Sequence, residues 1–480
     1  MPPTTPSPPP QPDQHTIEPT PHREARPPRI TRVLDVLSSG PRSNAALFGV
    51  VFAIVFLMRV PFLGPGYGTD PDGWGVAFTA RQLAETGVYY TSRFPGYPVQ
   101  EFACALLWRG GPRVLCGASA MMSAIAAGFF ALTFRRAGGG VALLAGLALA
   151  SVPMLHIVSV QALDNAWGLA FVAAAWYAAW NSRAVLTGVL LGLGIGTRLP
   201  TVVWFIPLAA TLAVSGGSGE RTRRLVTFAL AAVLVSALAF APLYIPLGLG
   251  FLRSYGDTHL PPLWIVKELS VDLWGIPGTL ALLVTVPMAL WPRRANASPA
   301  VLDRPLAPWE LLGWLGGVSA VLAVFACLPL DAAYLIPALP LVLMLLAHRL
   351  RRASFAVLCV ALLASPWLLK IRSAEPGGES STIGPFTIGD ESMVLDVWRG
   401  PALENQHRRL RMMRDRDLIL ERARQLTGEH VLVVDGWLPV IRTTLNGGRL
   451  GGSLFVSHLS EAEANRLRAR GVSVMDPFAE

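Results

Sequence analysis

Two aspartates stand two residues apart in Gly66-Tyr67-Gly68-Thr69-Asp70-Pro71-Asp72-Gly73-Trp74, directly after an apolar run. Carboxylates this close at the edge of lipid can take a proton from a hydroxyl or hold a metal ion. Against a partly apolar surface the charged form of a carboxylate is disfavoured, which makes such a group a stronger base. Other polar residues interrupt apolar runs further on. Arg198 lies in Gly196-Thr197-Arg198-Leu199-Pro200, Asp164-Asn165 opens one apolar run, and Asp331 and Tyr334 open another. An ionisable side chain at such depth has to face a cavity or pair with opposite charge.

The elements that carry these residues are membrane helices. The chain has 480 residues, 52% hydrophobic and 15% charged, with a mean hydropathy of +0.46, whereas soluble domains carry about 25% charged residues. Long stretches lack Asp, Glu, Lys and Arg, among them 114–134, 137–163 and 225–252. Several reach the roughly 20 residues a helix needs to cross a bilayer, and the alternation of a barrel is missing. Spans are expected near 44–63, 113–134, 138–156, 162–181, 184–196, 199–214, 225–247, 273–292, 309–329, 332–348 and 353–370. The short pair 184–196 and 199–214 reads as two tilted helices or one broken segment.

The net charge of +9 sits largely in short turns, at Arg135, Arg136, Arg183, Arg223, Arg294 and Arg351 among others. That is the positive-inside pattern and not a nucleic-acid surface. It places the N-terminus in the cytoplasm and the C-terminus outside a plasma membrane. Residues 1–43 are Pro- and Arg-rich and read as a disordered cytoplasmic tail. No secretory signal is expected, because the first apolar run follows this long leader without a small-residue cleavage site. Cys104, Cys116, Cys327 and Cys359 lack metal-ligand spacing and read as inert thiols. Within the first outer loop, a surface helix is expected over Asp72–Thr86 with Asp72 as its N-cap. From 371 to 480 the composition is that of a soluble α/β domain, with helices over 404–427 and 460–470 and strands at 430–435 and 472–475. Its Gly447-Gly448 and Gly451-Gly452 pairs read as turns.

The order of features resembles the GT-C membrane glycosyltransferases, especially the protein O-mannosyltransferases and lipid A aminoarabinose transferases. Asp70-Pro71-Asp72 precedes a surface helix ending in Glu85-Thr86-Gly87-Val88-Tyr89. Phe94-Pro95-Gly96-Tyr97-Pro98 then leads into the next apolar segment. Asp331-Ala332-Ala333-Tyr334-Leu335-Ile336-Pro337-Ala338-Leu339-Pro340 is similar to the late Tyr-Leu-x-Pro-x-Leu-Pro segment of that family. The likeness covers about 44–350. It implies a GT-C-like α-helical bundle for the about eleven expected transmembrane helices, and a sugar donor carried on a polyprenyl phosphate or diphosphate, with its lipid tail in the bilayer. The resemblance makes Asp70 the base.

Transfer from such a donor needs a base for the acceptor hydroxyl and cations for the departing phosphate. Asp70 and Asp72 are the catalytic candidates. Asp72 either positions the acceptor, caps the helix, or forms a divalent-metal pair with Asp70. Arg81, Arg93 and Arg198 are phosphate candidates, each with a bland alternative as a solvated or structurally paired cation. Asp164 either joins the site or caps its helix. His156 reads as a packed interfacial histidine. Tyr334 and Asp331 sit where they could contact lipid phosphate, with an aromatic-belt role as the alternative for Tyr334. Arg253 and Lys267 are further phosphate candidates. The competing readings are a transporter or lipid flippase, whose mark would be an internal repeat, and a membrane scaffold, whose polar motifs would lie apart.

Overall fold

The computed structural model describes residues 41, 43–215, 217–248, 262–291, 301–302, 304–329, 331–373, 382–388, 391–475 and 477. The Pro-rich segment 1–40 and the candidate Arg253 lie outside them. Lipid offers the backbone no partners, so the apolar runs fold as helices. The first half holds α1 (Asn44–Arg59), α2 (Pro71–Thr86), α3 (Pro98–Leu107), α4 (Gly111–Arg136), α5 (Ala142–Ala150), α6 (Pro153–Ser159), α7 (Asn165–Trp180) and α8 (Ala184–Thr197). There follow α9 (Phe205–Val214), α10 (Arg221–Leu247), α11 (Pro262–Lys267), α12 (Leu273–Leu290), α13 (Pro308–Cys327), α14 (Leu339–Arg349) and α15 (Arg352–Ala364).

Among the described residues, six helical stretches are long and apolar enough to cross a membrane, or seven if α5 and α6, bent by 66°, form one span. The expected spans at 184–196, 199–214 and 353–370 form as shorter apolar helices. A helix of 14 residues such as α8 reaches about 21 Å, against about 30 Å of hydrocarbon. Eleven full-length crossings are therefore not what the helix lengths alone provide.

Polar turns sort to two ends of the bundle. At one end, Gly139 pairs with Leu302, Arg352 lies beside Gly140, and Arg304 stacks on Trp180. Asp70, Asp164 and Arg198 gather at the other. The ambiguous segment 184–214 is a hairpin of two helical pieces: Arg183 N–H and Ser215 Oγ both bond carbonyls at the end of α7, so Arg198 stands at the far tip. Small residues set this hairpin. A side chain at Gly188, Gly192 or Gly196 would strike α10, with Cβ positions 2.4–2.6 Å from Phe228 O, Val235 Cβ and Ala239 Cβ. The stripe of glycines thus lets α8 and α10 approach closely.

After α15 come β1 (Lys370–Ser373), β2 (Thr382–Ile388) and β3 (Glu391–Asp396), an antiparallel sheet in the order β1-β3-β2. The long helix α16 (Pro401–Gln425) follows, then β4 (His430–Val433), α17 (Leu438–Leu445), β5 (Arg449–Leu450), β6 (Ser453–Val456), α18 (Glu461–Ala469) and β7 (Ser473–Met475). Strands β4, β6 and β7 are parallel in a sheet ordered β5-β6-β4-β7. Val431, Leu432, Ile441 and Phe455 are buried around it. The expected strands and helices of this region appear within a few residues; the antiparallel sheet over 370–396 is an addition.

This C-terminal region seats on the carboxylate end of the bundle. Arg409 of α16 is fully buried and donates to the carbonyls of Phe62, Pro65, Gly66 and Val160. Asn405 Nδ2 reaches Thr69 Oγ1 at 3.1 Å, and Thr443 Oγ1 of α17 donates to Trp74 O at 3.0 Å.

Candidate active site

The loop bearing Asp70 is held from below. Ala162 N–H bonds Tyr67 O, and Gln161 Oε1 accepts the N–H groups of Thr69 and Asp70. Gly68 has φ +150°, and a Cβ there would lie 2.3 Å from Gln161 Oε1, so the turn needs glycine for both its conformation and its contact. Pro71 then opens α2, and the N-cap is Asp70: its Oδ1 accepts Asp72 N–H at 2.9 Å. The expectation that Asp72 caps the helix is corrected. Proline is favoured at the first helical position, which moves the cap one residue before it. Gly87, at φ +71°, closes the helix as expected.

Asp72, relieved of capping, faces Arg93. Its Oδ2 lies 2.8 Å from Arg93 Nη1, an ion pair without hydrogen-bond alignment. Burial raises the Asp72 pKa to about 6; Arg93 opposes the rise, while Asp70 and Asp164 add to it. Arg93 is aimed by Glu101, a fully buried carboxylate. Glu101 accepts from Tyr89 Oη and, at 2.7 Å, from Ser92 N–H, so the loop before Arg93 folds around it. The Arg93 guanidinium stacks over Tyr97 at 4.2 Å. Burial works against its charge, but Asp164, Tyr97 and Asp72 outweigh that and lift its pKa above the ordinary range.

Asp164 is the hub. It occupies the N-cap position of α7 yet makes no side-chain cap bond. Instead Oδ1 accepts from Arg93 Nη2 at 2.7 Å and Oδ2 from Arg198 Nη1 at 2.6 Å. The carboxylate is 0% exposed and Arg198 5% exposed, so each charge depends on the others. Arg198 is the extended C-cap residue of α8: Pro200, two positions on, has no N–H to continue the helix, while Arg198 N–H still bonds Gly194 O. Its guanidinium lies 4.9 Å from the Tyr334 ring, and its Nε is buried without a hydrogen-bond partner.

Asp331 completes the surroundings. Its Oδ1 caps the turn at Ala333, whose carbonyl accepts from Asn165 Nδ2. Burial raises its pKa against that capping bond, with Asp70 adding to the rise. Five of the seven residues expected at a site therefore meet at one end of the bundle as the chain Asp72–Arg93–Asp164–Arg198–Tyr334, and Asp70 adjoins Asp72. Arg81 does not join them. It pairs with Glu85 at 2.9 Å and lies over Trp108, because its position on α2 points away from the Arg93 turn. Lys267 pairs with Asp272, which Lys370 also holds. His156 is packed as expected, bonded to Arg59 and edge-on to Phe62 and Trp367.

Sequence reading missed Glu101, Gln161 and Arg409. Glu101 carried a signal, being an isolated acid in an apolar run after Pro98. Arg409 carried none, standing among many charges on α16.

The alternative of a divalent-metal pair at Asp70 and Asp72 meets one oxygen of each aspartate already engaged: one Asp70 oxygen caps α2 and one Asp72 oxygen faces Arg93. Among the described residues no group of three or more His, Cys, Asp or Glu forms a metal-ligand set.

No protein-family model matches the chain, and no curated protein matches it. Among solved structures, it is similar to ArnT from Cupriavidus metallidurans in the apo state, with TM-score 0.49 and 14% identity over 90% of each chain. It is similar also to the same protein bound to undecaprenyl phosphate, with TM-score 0.48 and 13% identity over 90% of this chain and 89% of that one.

Proposed function

We propose that this multi-pass membrane protein is a glycosyltransferase that moves a sugar from a polyprenyl-phosphate-linked donor to a hydroxyl acceptor at the extracytoplasmic face. The observation that carries the reading is Arg198, a buried guanidinium oriented by Asp164 with an Nε donor left over. An unused charged donor in a buried place is costly unless something binds it. A phosphate oxygen supplies that acceptor, with guanidinium geometry suited to it.

In the proposed reaction the acceptor oxygen bonds to the anomeric carbon as the bond from that carbon to the phosphate oxygen breaks. The bonding pair leaves on the phosphate, where Arg198 and Arg93 stabilise it. Asp70 takes the acceptor proton. Asp72, ion-paired with Arg93, orients the hydroxyl. Asp164 fixes both guanidiniums and touches neither reactant. Tyr334 covers the outer face of Arg198.

The test is incubation of the purified full-length protein with a panel of polyprenyl-phosphate sugars. Transfer is expected from at least one of them, and Asp70→Asn is expected to lower it by about 10²–10⁴-fold. Full transfer by that variant would remove Asp70 from the mechanism. An absence of turnover across the panel, with the donors intact, would count against the transferase reading.

A further inference from the structure

Between α2 and α17 lies a cavity of about 490 Å³, walled on one side by Asp72, Phe78 and Ser92 and on the other by Pro439, Arg442 and Thr443. Its size is in the range of small-ligand pockets. The lining is mixed: hydroxyls from both walls, the Gln82 amide, and the rings of Phe78 and Tyr90. Two observations show that the lining is unfinished. Ser92 Oγ is buried without a hydrogen-bond partner. The exposed Arg442 guanidinium stacks on Phe78 at 5.0 Å and has no acidic partner among the described residues.

We infer that this cleft binds a carbohydrate, and that the C-terminal region is there to present it to the carboxylates of α2. Aromatic faces beside hydroxyls, an amide and a forked cation match a ring with apolar C–H faces and a rim of hydroxyls. Asp72 belongs to both the cleft and the Arg93–Asp164–Arg198 chain, so a ligand in the cleft reaches the transfer site. Calling that ligand the acceptor rests on the transferase reading; the binding itself does not.

Saturation-transfer NMR on the full-length protein in detergent tests the inference, with free neutral and anionic mono- and disaccharides and no lipid-linked donor. At least one sugar is expected to receive saturation. Arg442→Ala is expected to weaken its binding about tenfold, the size of one charge-assisted contact. Gly75→Leu, which has room for its Cβ 3.5 Å from Ser92 Cβ, fills the cleft and is expected to abolish the signal. Thermal unfolding of both variants checks that each is folded. Absence of binding by every sugar, or binding unchanged in folded Gly75→Leu, overturns the inference. Binding without transfer from any donor counts against the transferase reading alone. Transfer that is indifferent to both substitutions overturns the presentation of that sugar to the α2 carboxylates and leaves the transferase reading standing.

Discussion

Arg198 and Arg409 are buried at the same end of the molecule, yet their donors are spent differently. Arg409 uses every N–H: Nε on Pro65 O, Nη1 on Phe62 O and Val160 O, and Nη2 on Gly66 O and Cys116 Sγ. Among the described residues no carboxylate pairs with it, and burial lowers its pKa. Arg198 instead meets a carboxylate and keeps Nε in reserve. A saturated guanidinium is a fastener; in the proposed function the partly used Arg198, held by an acid, is the one that takes a phosphate oxygen. On that proposal the difference separates structural from functional charge beside the Asp70 loop.

The strongest way to break this contrast is to truncate the fastener. Arg409→Ala leaves the carbonyls of Phe62, Pro65 and Val160 without donors at the turn that presents Asp70. It is expected to cost about 3–5 kcal/mol of stability, read as a large fall in the thermal midpoint in detergent or as loss of folded protein. A stable Arg409→Ala protein with normal transfer would show that the C-terminal region does not hold the loop.

The complementary substitution, Arg198→Gln, is expected to act on chemistry more than on folding, because Asp164 keeps Arg93 as a partner. Transfer should fall by about 100-fold, the loss of one oriented donor to a developing charge. Arg198→Lys should recover little of it, since an ammonium cannot serve Asp164 and a phosphate in the same fork. A midpoint shift as large as that of Arg409→Ala, with residual transfer unaffected, would make Arg198 a second fastener.

Asp72 sharpens the comparison through pH. Its pKa is raised to about 6, so the carboxylate is ionised above that pH and protonated below it. If the Asp72–Arg93 pair orients the acceptor, the transfer rate should decline as pH falls through about 6, and Asp72→Asn should flatten that limb while costing about tenfold at neutral pH. Were Asp72 the base itself, its loss would match that of Asp70→Asn.

These contrasts were only partly legible in the chain. Arg198 and Asp164 stood out because charge in an apolar run is rare and must be paired, so each announced itself without showing its partner. Asp70 and Asp72 were visible as a pair, but their tasks depended on where Pro71 set the helix start, a shift of two residues. The hairpin that brings Arg198 to Asp164 depends on Gly188, Gly192 and Gly196 meeting α10, a match between two helices that neither stretch displays alone. The seat of α17 on α2 was invisible, since Thr443 and Arg442 have the residue types of any surface helix.

Arg81 gives the smallest expected effect and the cleanest control on the contrast. It lies on the same helix as Asp72 and carries the same charge as Arg93, so sequence alone makes it an equal phosphate candidate. In the structure its Nε pairs with Glu85 one turn away, both side chains about one-third exposed, and its guanidinium lies over Trp108. A solvated pair of this kind contributes about 0.3–0.5 kcal/mol. Arg81→Ala should therefore change transfer by no more than about twofold and leave the acid limb near pH 6 in place. A loss approaching that of Arg198→Gln would mean that donor binding draws α2 round until Arg81 faces the phosphate, and that the arrangement of guanidiniums about Asp164 is not the one in which transfer occurs.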